Sequence, residues 1–324
     1  MGRESKTHMN AIKIQLSPQP KDPRDQSFLI AGVVRNGEKT IVNEIIHLSK
    51  VFKNFTNLHW FLVESDSNDQ TLQKLEELSH TVPNFRYLSA GSLIDKMPSR
   101  LVRLAYCRNL YLDELRNNSL YQDIQYLVVA DLDNMNPLLT EEAVLSCWKY
   151  ENWGACCANQ RGPYYDLGAL RHADWMPTDC WRHYQFLLEH TKSVDKAVEA
   201  AIYANMIVIS EESDWIEVDS AFGGIAIYPT HTLGHSRYAG YDNLGRESVD
   251  HIGLHEGIRK NGYAIYINPK LINTSFNSHN QQLLESLRLK KKFKEFYRLC
   301  NPIKLIPLLL FKAKLIRTQK TFLE

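Results

Sequence analysis

The chain has 324 residues, 44% of them hydrophobic and 23% charged, with a formal net charge of +1. That length can bury a substantial core, and the ordinary composition excludes disordered and collagen-like classes. The near-neutral total hides an asymmetry: residues 288–320 hold eleven Lys/Arg against one acidic residue, Glu295, which leaves 27 basic and 36 acidic residues elsewhere.

The opening MGRESKTHMN is polar and has no apolar signal core, so residues 1–26 read as a flexible leader. No stretch approaches membrane-spanning length. The six cysteines (107, 147, 156, 157, 180 and 300) show no CxxC spacing, which argues against a zinc cage or a disulfide framework and for a reducing, cytoplasmic setting.

Strands and helices alternate from residue 27 onward. SFLIAGVVR (27–35) is a buried-type strand that stops at Arg35-Asn36-Gly37, and Ile41, Ile45, Leu48 and Phe52 then follow at helical spacing. LHWFLVES (58–65) is the next strand, TLQKLEEL the next helix, and FRYLSA (85–90) a short strand. SRLVRLAYCRNLYLDELR (99–116) is a strong helix, and YLVVA then runs into Asp131-Leu132-Asp133. This order predicts an α/β fold with a mostly parallel sheet sandwiched by helices, whose ligands sit at the strand carboxyl ends. Arg35, Glu64-Ser65-Asp66 and Asp131-Leu132-Asp133 all fall at such ends. Further along, NWGACCANQ reads as a strand, WRHYQFLLEHTKSVDKAVEAAIYAN as a helix, WIEVDSAFGGIAIYP as strands around Gly223-Gly224, SVDHIGLHEGIRKNG as a helix and YAIYINP as a strand.

Two carboxylates as close as Asp131 and Asp133 repel unless a cation lies between them. Oxygen ligands at a strand end suit Mg²⁺ or Mn²⁺, although a solvated turn can carry the same Asp-X-Asp. On the preceding helix Leu101, Leu104, Arg108, Tyr111 and Leu115 share a face, so Arg108 projects from an apolar stripe and needs an anion. That anion is a structural carboxylate, a bound phosphate or the aspartates themselves; Arg100 and Arg103 read as solvated. Glu64 and Asp66 are candidates for reading the base or ribose of a nucleotide, or are loop and cap residues.

The ordered set resembles the GT-A glycosyltransferases over roughly residues 27–280. Arg35-Asn36-Gly37-Glu38 after the first strand, Arg108-Asn109 in a helix and Asp131-Leu132-Asp133 look like that superfamily's nucleotide-sugar half. Phe222-Gly223-Gly224-Ile225-Ala226-Ile227-Tyr228 and Val249-Asp250-His251 look like its glycine loop and acidic motif. The flavour is that of capsule-associated mannosyltransferase-like and other bacterial polysaccharide transferases. Where a Glu-Asp pair is common, this chain carries Val249-Asp250. The resemblance implies a nucleotide-sugar half (27–137) and an acceptor half (138–280). It places Arg35, Asn36, Arg108 and Asp131 on the donor, Asp131, Asp133 and His279 on Mn²⁺ or Mg²⁺, Gly223, Gly224 and His251 on the acceptor sugar, and Asp250 as general base.

The implied activity is metal-dependent transfer of a hexosyl group from a nucleoside diphosphate sugar to a glycan or lipid-linked glycan in polysaccharide biosynthesis. A sugar nucleotidyltransferase fits less well, because VVRNGEKT lacks a Gly-rich phosphate loop. A non-catalytic glycan-binding protein on a degenerate fold is the alternative from another class, and no nucleic-acid partner is expected. In the extension 281–324, the apolar and cationic residues of IKLIPLLLFKAKLI interleave. Such a segment either lies on an anionic membrane surface, at the inner face of the membrane, or packs as a helix on the core.

Overall fold

The computed structural model describes residues 14–16, 22–277, 279 and 280. The chain divides into two units, residues 1–277 and 278–324. The extension 281–324 and most of the leader lie outside the described residues. Among the described residues no helix is long and apolar enough to cross a membrane.

A two-residue strand β1 (Gln15–Leu16) pairs with β6 (Tyr150–Glu151), apart from the main sheet. The alternating first half folds as its pattern predicts: β2 (Ser27–Val34), α1 (Ile41–Val51), β3 (Asn57–Glu64), α2 (Thr71–Thr81), β4 (Phe85–Ser89), α3 (Arg100–Asn117) and β5 (Tyr126–Ala130). The apolar stripe of α1, through Ile41, Ile45 and Leu48, packs on Phe28, Ile30 and Val128 of the sheet in one continuous core. After the short α4 (Glu141–Leu145), the second half adds β7 (Trp153–Gln160), α5 (Cys180–Thr191), α6 (Val194–Ala201), β8 (Ile216–Val218), β9 (Ile225–Pro229), α7 (Thr230–Leu233), α8 (Asp250–Lys260) and β10 (Ala264–Thr274).

One eight-stranded sheet runs in the order β4-β3-β2-β5-β9-β7-β10-β8. The first four strands are all parallel. β9 runs against both β5 and β7, β10 is parallel to β7, and β8 closes the edge in the opposite sense. The sheet is therefore parallel throughout the first half and mixed in the second. Because β3 and β4 extend to one side of β2 and β5 lies on the other, the strand order reverses between β2 and β5. Crevices at such reversals, outside the strand carboxyl ends, are where open α/β sheets take ligands. Asp131 stands at the end of β5, beside it.

Two local expectations change. The single helix over 181–205 is two, because Lys192 adopts a left-handed φ of 53° and Ser193 caps α6 through Lys196 N–H. In α3, Arg103 is buried rather than solvated, its guanidinium donating to the carbonyls of Met97 and Pro98.

Candidate functional site

β5 is buried along its whole apolar length, and it delivers Asp131 to the carboxyl edge of the sheet. The Asp131 N–H donates to Gly224 O at 2.8 Å, so the glycine loop leading into β9 continues the pairing of β5 with β9. Gly223 and Gly224 have φ of 77° and 92°, in a region that disfavours side chains. A Cβ on Gly223 would sit 2.8 Å from Ala158 O, and one on Gly224 2.9 Å from both Asn273 Nδ2 and Tyr165 Oη. The Gly223 carbonyl accepts from Asn273 Nδ2 at 2.8 Å and Gln160 Nε2 at 3.1 Å, while its N–H donates to Asp166 Oδ2 at 2.9 Å. The loop is thus a fixed floor behind Asp131. On the other side of Asp131, its carbonyl accepts from Asn136 Nδ2 at 2.7 Å, and Leu132 O accepts from Thr40 Oγ1 at 3.1 Å.

Arg108 finds its anions in two aspartates. Its Nη2 lies 3.3 Å from Asp131 Oδ1 and its Nε 2.7 Å from Asp250 Oδ2. The guanidinium also lies 5.3 Å from the Phe222 ring centroid and 5.7 Å from that of Tyr238. Arg108 and Asp250 are both buried, whereas a third of the Asp131 side chain remains open to water. Burial pushes the Asp131 carboxyl up to about 7, with Arg108 opposing and the negative charges of Asp133 and Asp166 adding to the rise. Burial likewise holds Asp250 above the ordinary carboxylate value, again against Arg108. Asp133 is exposed at the mouth.

Among the described residues no group of three or more His, Cys, Asp or Glu side chains is arranged to hold a metal ion. A hard divalent cation bound through one or two carboxylates, water and substrate phosphates needs no such cage. Asp131 and Asp133 fit that mode. They supply oxygen donors only, and their mutual repulsion is what a cation would relieve.

Two of the expected donor residues, Glu64 and Asp66, turn inward. Glu64 is buried, its Oε1 accepting from Ser67 N–H at 2.9 Å and its Oε2 from Ser89 Oγ, so it closes a loop and offers no face to a nucleotide. Asp66 accepts from Leu93 N–H and Ile94 N–H at 2.7 and 2.9 Å, with Arg103 Nε 3.6 Å away, and fixes the segment after β4. Asn36 Oδ1 accepts from Asn68 N–H, locking the turn after β2 to the turn after β3. Arg35 donates Nε to Asp66 O and stays exposed, so its remaining guanidinium N–H groups face solvent near the crevice.

Asp250, expected as the general base, is 2% exposed, with its Oδ2 2.7 Å from Arg108 Nε. His251, expected on the acceptor, is also buried: it stacks on Phe222 with centroids 3.9 Å apart and meets Tyr238 edge-on. Burial holds it well below the ordinary histidine value, and so neutral. His255, one turn on, lies within hydrogen-bonding distance of Ser220 Oγ and Tyr228 Oη. His279, expected on the metal, belongs to the second unit. What the sequence did not single out is Asp166, Asn136 and Asn273. The signal available for Asp166 was topological, since it follows the carboxyl end of β7 in the segment Tyr164-Tyr165-Asp166.

No protein-family model matches the chain, and no curated protein matches it. Solved structures do. A mannosyltransferase, PcManGT of Pyrobaculum calidifontis, solved with GDP-Man and Mn²⁺, is similar at a TM-score of 0.48 and 12% identity, over 80% of this chain and 59% of that one. S. aureus TarS 1-349 with UDP-GlcNAc gives 0.42 and 13%, over 78% of this chain and 60% of the other. Glucosyl-3-phosphoglycerate synthase of Mycobacterium tuberculosis, with UDP, gives 0.38 and 12%, over 77% and 69%. The chain spans about three fifths of the first two. These are likenesses of architecture, not of the site.

Proposed function

We propose that the chain is a glycosyltransferase that uses Mn²⁺ or Mg²⁺ to move a hexosyl group from a nucleoside diphosphate sugar to a glycan or lipid-linked glycan acceptor. The observation that carries this is Asp131 at the strand-order reversal, backed by the buried Arg108 and with a third of its side chain open to water. The charges of Asp133 and Asp166 help push its carboxyl up to about 7, and a cation would relieve that repulsion.

In this reading Asp131 and Asp133 hold the cation, which when bound neutralises the departing diphosphate. Arg108 keeps Asp131 aimed at the mouth and supplies the positive field behind it. The exposed Arg35 reaches the diphosphate from the β2 side. The floor formed by Gly223 and Gly224 keeps side chains out of the space in front of Asp131, and Asp166 holds that floor. Asp250 secures Arg108 from behind. The interleaved basic and apolar residues of 288–320 bring the enzyme to the cytoplasmic face of an anionic membrane, where a lipid-linked acceptor for polysaccharide synthesis resides.

The test is a thermal-shift and hydrolysis panel of UDP-, GDP- and CMP-sugars with and without Mn²⁺. One nucleotide class should raise the melting temperature only with the metal, by mass action on the folded state, and should slowly lose its sugar to water. Pyrophosphate release from a nucleoside triphosphate would mark a nucleotidyltransferase instead, and no metal-dependent shift or hydrolysis with any donor would refute the assignment.

A further inference from the structure

The amino end of α5 is held from both sides. Asp179 Oδ1 accepts from the N–H groups of Trp181 and Arg182 at 3.0 and 3.1 Å, and its Oδ2 receives Arg171 Nη2 at 2.6 Å. Arg171 in turn donates Nη1 to Gly168 O and Leu170 O. On the opposite side, Arg182 Nη2 reaches Asp242 Oδ2 at 2.8 Å and Glu247 O at 3.3 Å. In the middle of this polar clamp stands Trp181, whose side chain is nevertheless 55% exposed. An indole left open to water at an anchored helix end loses the burial that ordinarily stabilises a tryptophan.

Its position relates it to the carboxylates by two routes. A Cβ placed on Gly168 would meet Val249 Cγ2 at 3.3 Å and Trp181 Nε1 at 3.5 Å, so the indole, Gly168 and Val249 converge. Gly168 lies just after Asp166, whose carboxylate holds Gly223 and, through the glycine loop, the Asp131 backbone. Val249 immediately precedes Asp250, which faces Arg108 and, through it, Asp131. Trp181 therefore packs against the two segments of the second half that carry Asp166 and Asp250.

We propose that Trp181 is the stacking platform for a pyranose ring of the acceptor glycan. The inference rests on the transferase reading above and deepens it by naming the acceptor surface. A pyranose has an apolar C–H face and a rim of hydroxyls. The exposed indole offers the flat apolar surface, and its own Nε1 and the neighbouring Arg182–Asp242 pair bring polar groups beside it. Tyr184 lies edge-on to Trp181, with centroids 6.4 Å apart. A purely apolar partner would find this aromatic surface interrupted by charge on both flanks.

The experiment compares the full-length protein with Trp181→Ala and Trp181→Phe, using octyl glycosides of glucose, galactose, mannose and N-acetylglucosamine as probes. In Mn²⁺-dependent transfer, Trp181→Ala should raise the KM for the preferred glycoside about tenfold or more, as loss of an aromatic anchor does. Trp181→Phe, which keeps a stacking face, should recover most of that loss, and kcat should change much less than KM. In a direct titration without donor, the glycoside should quench a portion of the tryptophan fluorescence that is missing in Trp181→Phe. An unchanged acceptor KM, a fall in kcat alone, or no Trp181-dependent quenching by any glycoside overturns the proposal. So does a blue shift of Trp181 on phosphatidylglycerol vesicles without any response to glycosides. Failure of the wild-type protein to hydrolyse or transfer from any donor refutes the transferase reading separately, while the titration still decides whether Trp181 binds a sugar.

Discussion

Replacing Arg108 with methionine should destabilise the protein most at alkaline pH and least near pH 4. Arg108 Nε stands 2.7 Å from Asp250 Oδ2, and Asp250 is 2% exposed, so the variant leaves a carboxylate without its counter-ion and without water. Breaking a buried pair from one side costs about 3–5 kcal/mol. Asp131 adds less, because a third of its side chain already reaches solvent. The sign of the pH dependence follows from burial raising the Asp250 pKa even in the wild type. A carboxyl whose folded pKa lies above its unfolded value binds its proton more tightly when folded, so stability falls as pH rises from the unfolded value through the folded one. Without Arg108 that folded value climbs further, each added unit costing about 1.4 kcal/mol above it. Urea midpoints measured between pH 4.5 and 8 should therefore diverge from wild type as pH rises, at unchanged slope. Arg108→Met combined with Asp250→Asn, which removes both charges, should return to within about 2 kcal/mol of wild type at all pH values. A single-variant loss below about 1 kcal/mol, or one that does not vary with pH, would refute the buried pair.

Because the Asp131 carboxyl is pushed up to about 7, Mn²⁺ competes there with a proton, and affinity measured by titration calorimetry should rise with pH through neutrality and level off above it; a flat profile from pH 5.5 to 8 contradicts this. Asp133→Ala, an exposed change, should leave the metal-free melting temperature within about 2 °C of wild type, the scale of a surface substitution, and abolish the Mn²⁺-dependent shift with donor. Gly223→Ala places a Cβ 2.8 Å from Ala158 O at a φ of 77°, so it should cost about 1–3 kcal/mol in urea unfolding and lower donor turnover as the floor moves.

What was legible in the sequence was what local pattern determines. The first-half strands and helices follow from runs of apolar residues and their periodicity, and the placing of Asp131 and Asp133 follows from the end of one such run. Arg108 could be read as buried because its helical neighbours are apolar, but its partner Asp250 comes from a helix far along the chain. The inward turn of Glu64 and Asp66 was not legible either. Both stand at a strand carboxyl end like Asp131, and the backbone N–H groups that claim them belong to loops whose course depends on the whole edge. His251 shared the fate of its helix: position alone could not say that Phe222 would cover one face of the ring. Asp166 carries no periodic signal, and its importance follows from the hydrogen bond to Gly223, which only the assembled sheet creates. Residues 281–324, with their basic and apolar alternation, lie outside the described residues.

The link through Arg108 also bears on whether the halves on either side of residue 137 are separable. Arg108 belongs to the first, as does Asp131, but Asp250 belongs to the second, and β5 is flanked on one side by β9. A fragment ending at residue 137 would expose the β5 edge that pairs with β9 and strip Arg108 of its Asp250 partner, leaving Asp131 alone opposite it. Residues 27–137 should therefore fold poorly as an isolated fragment, and the Arg108–Asp250 contact forms only once the ribosome has delivered α8.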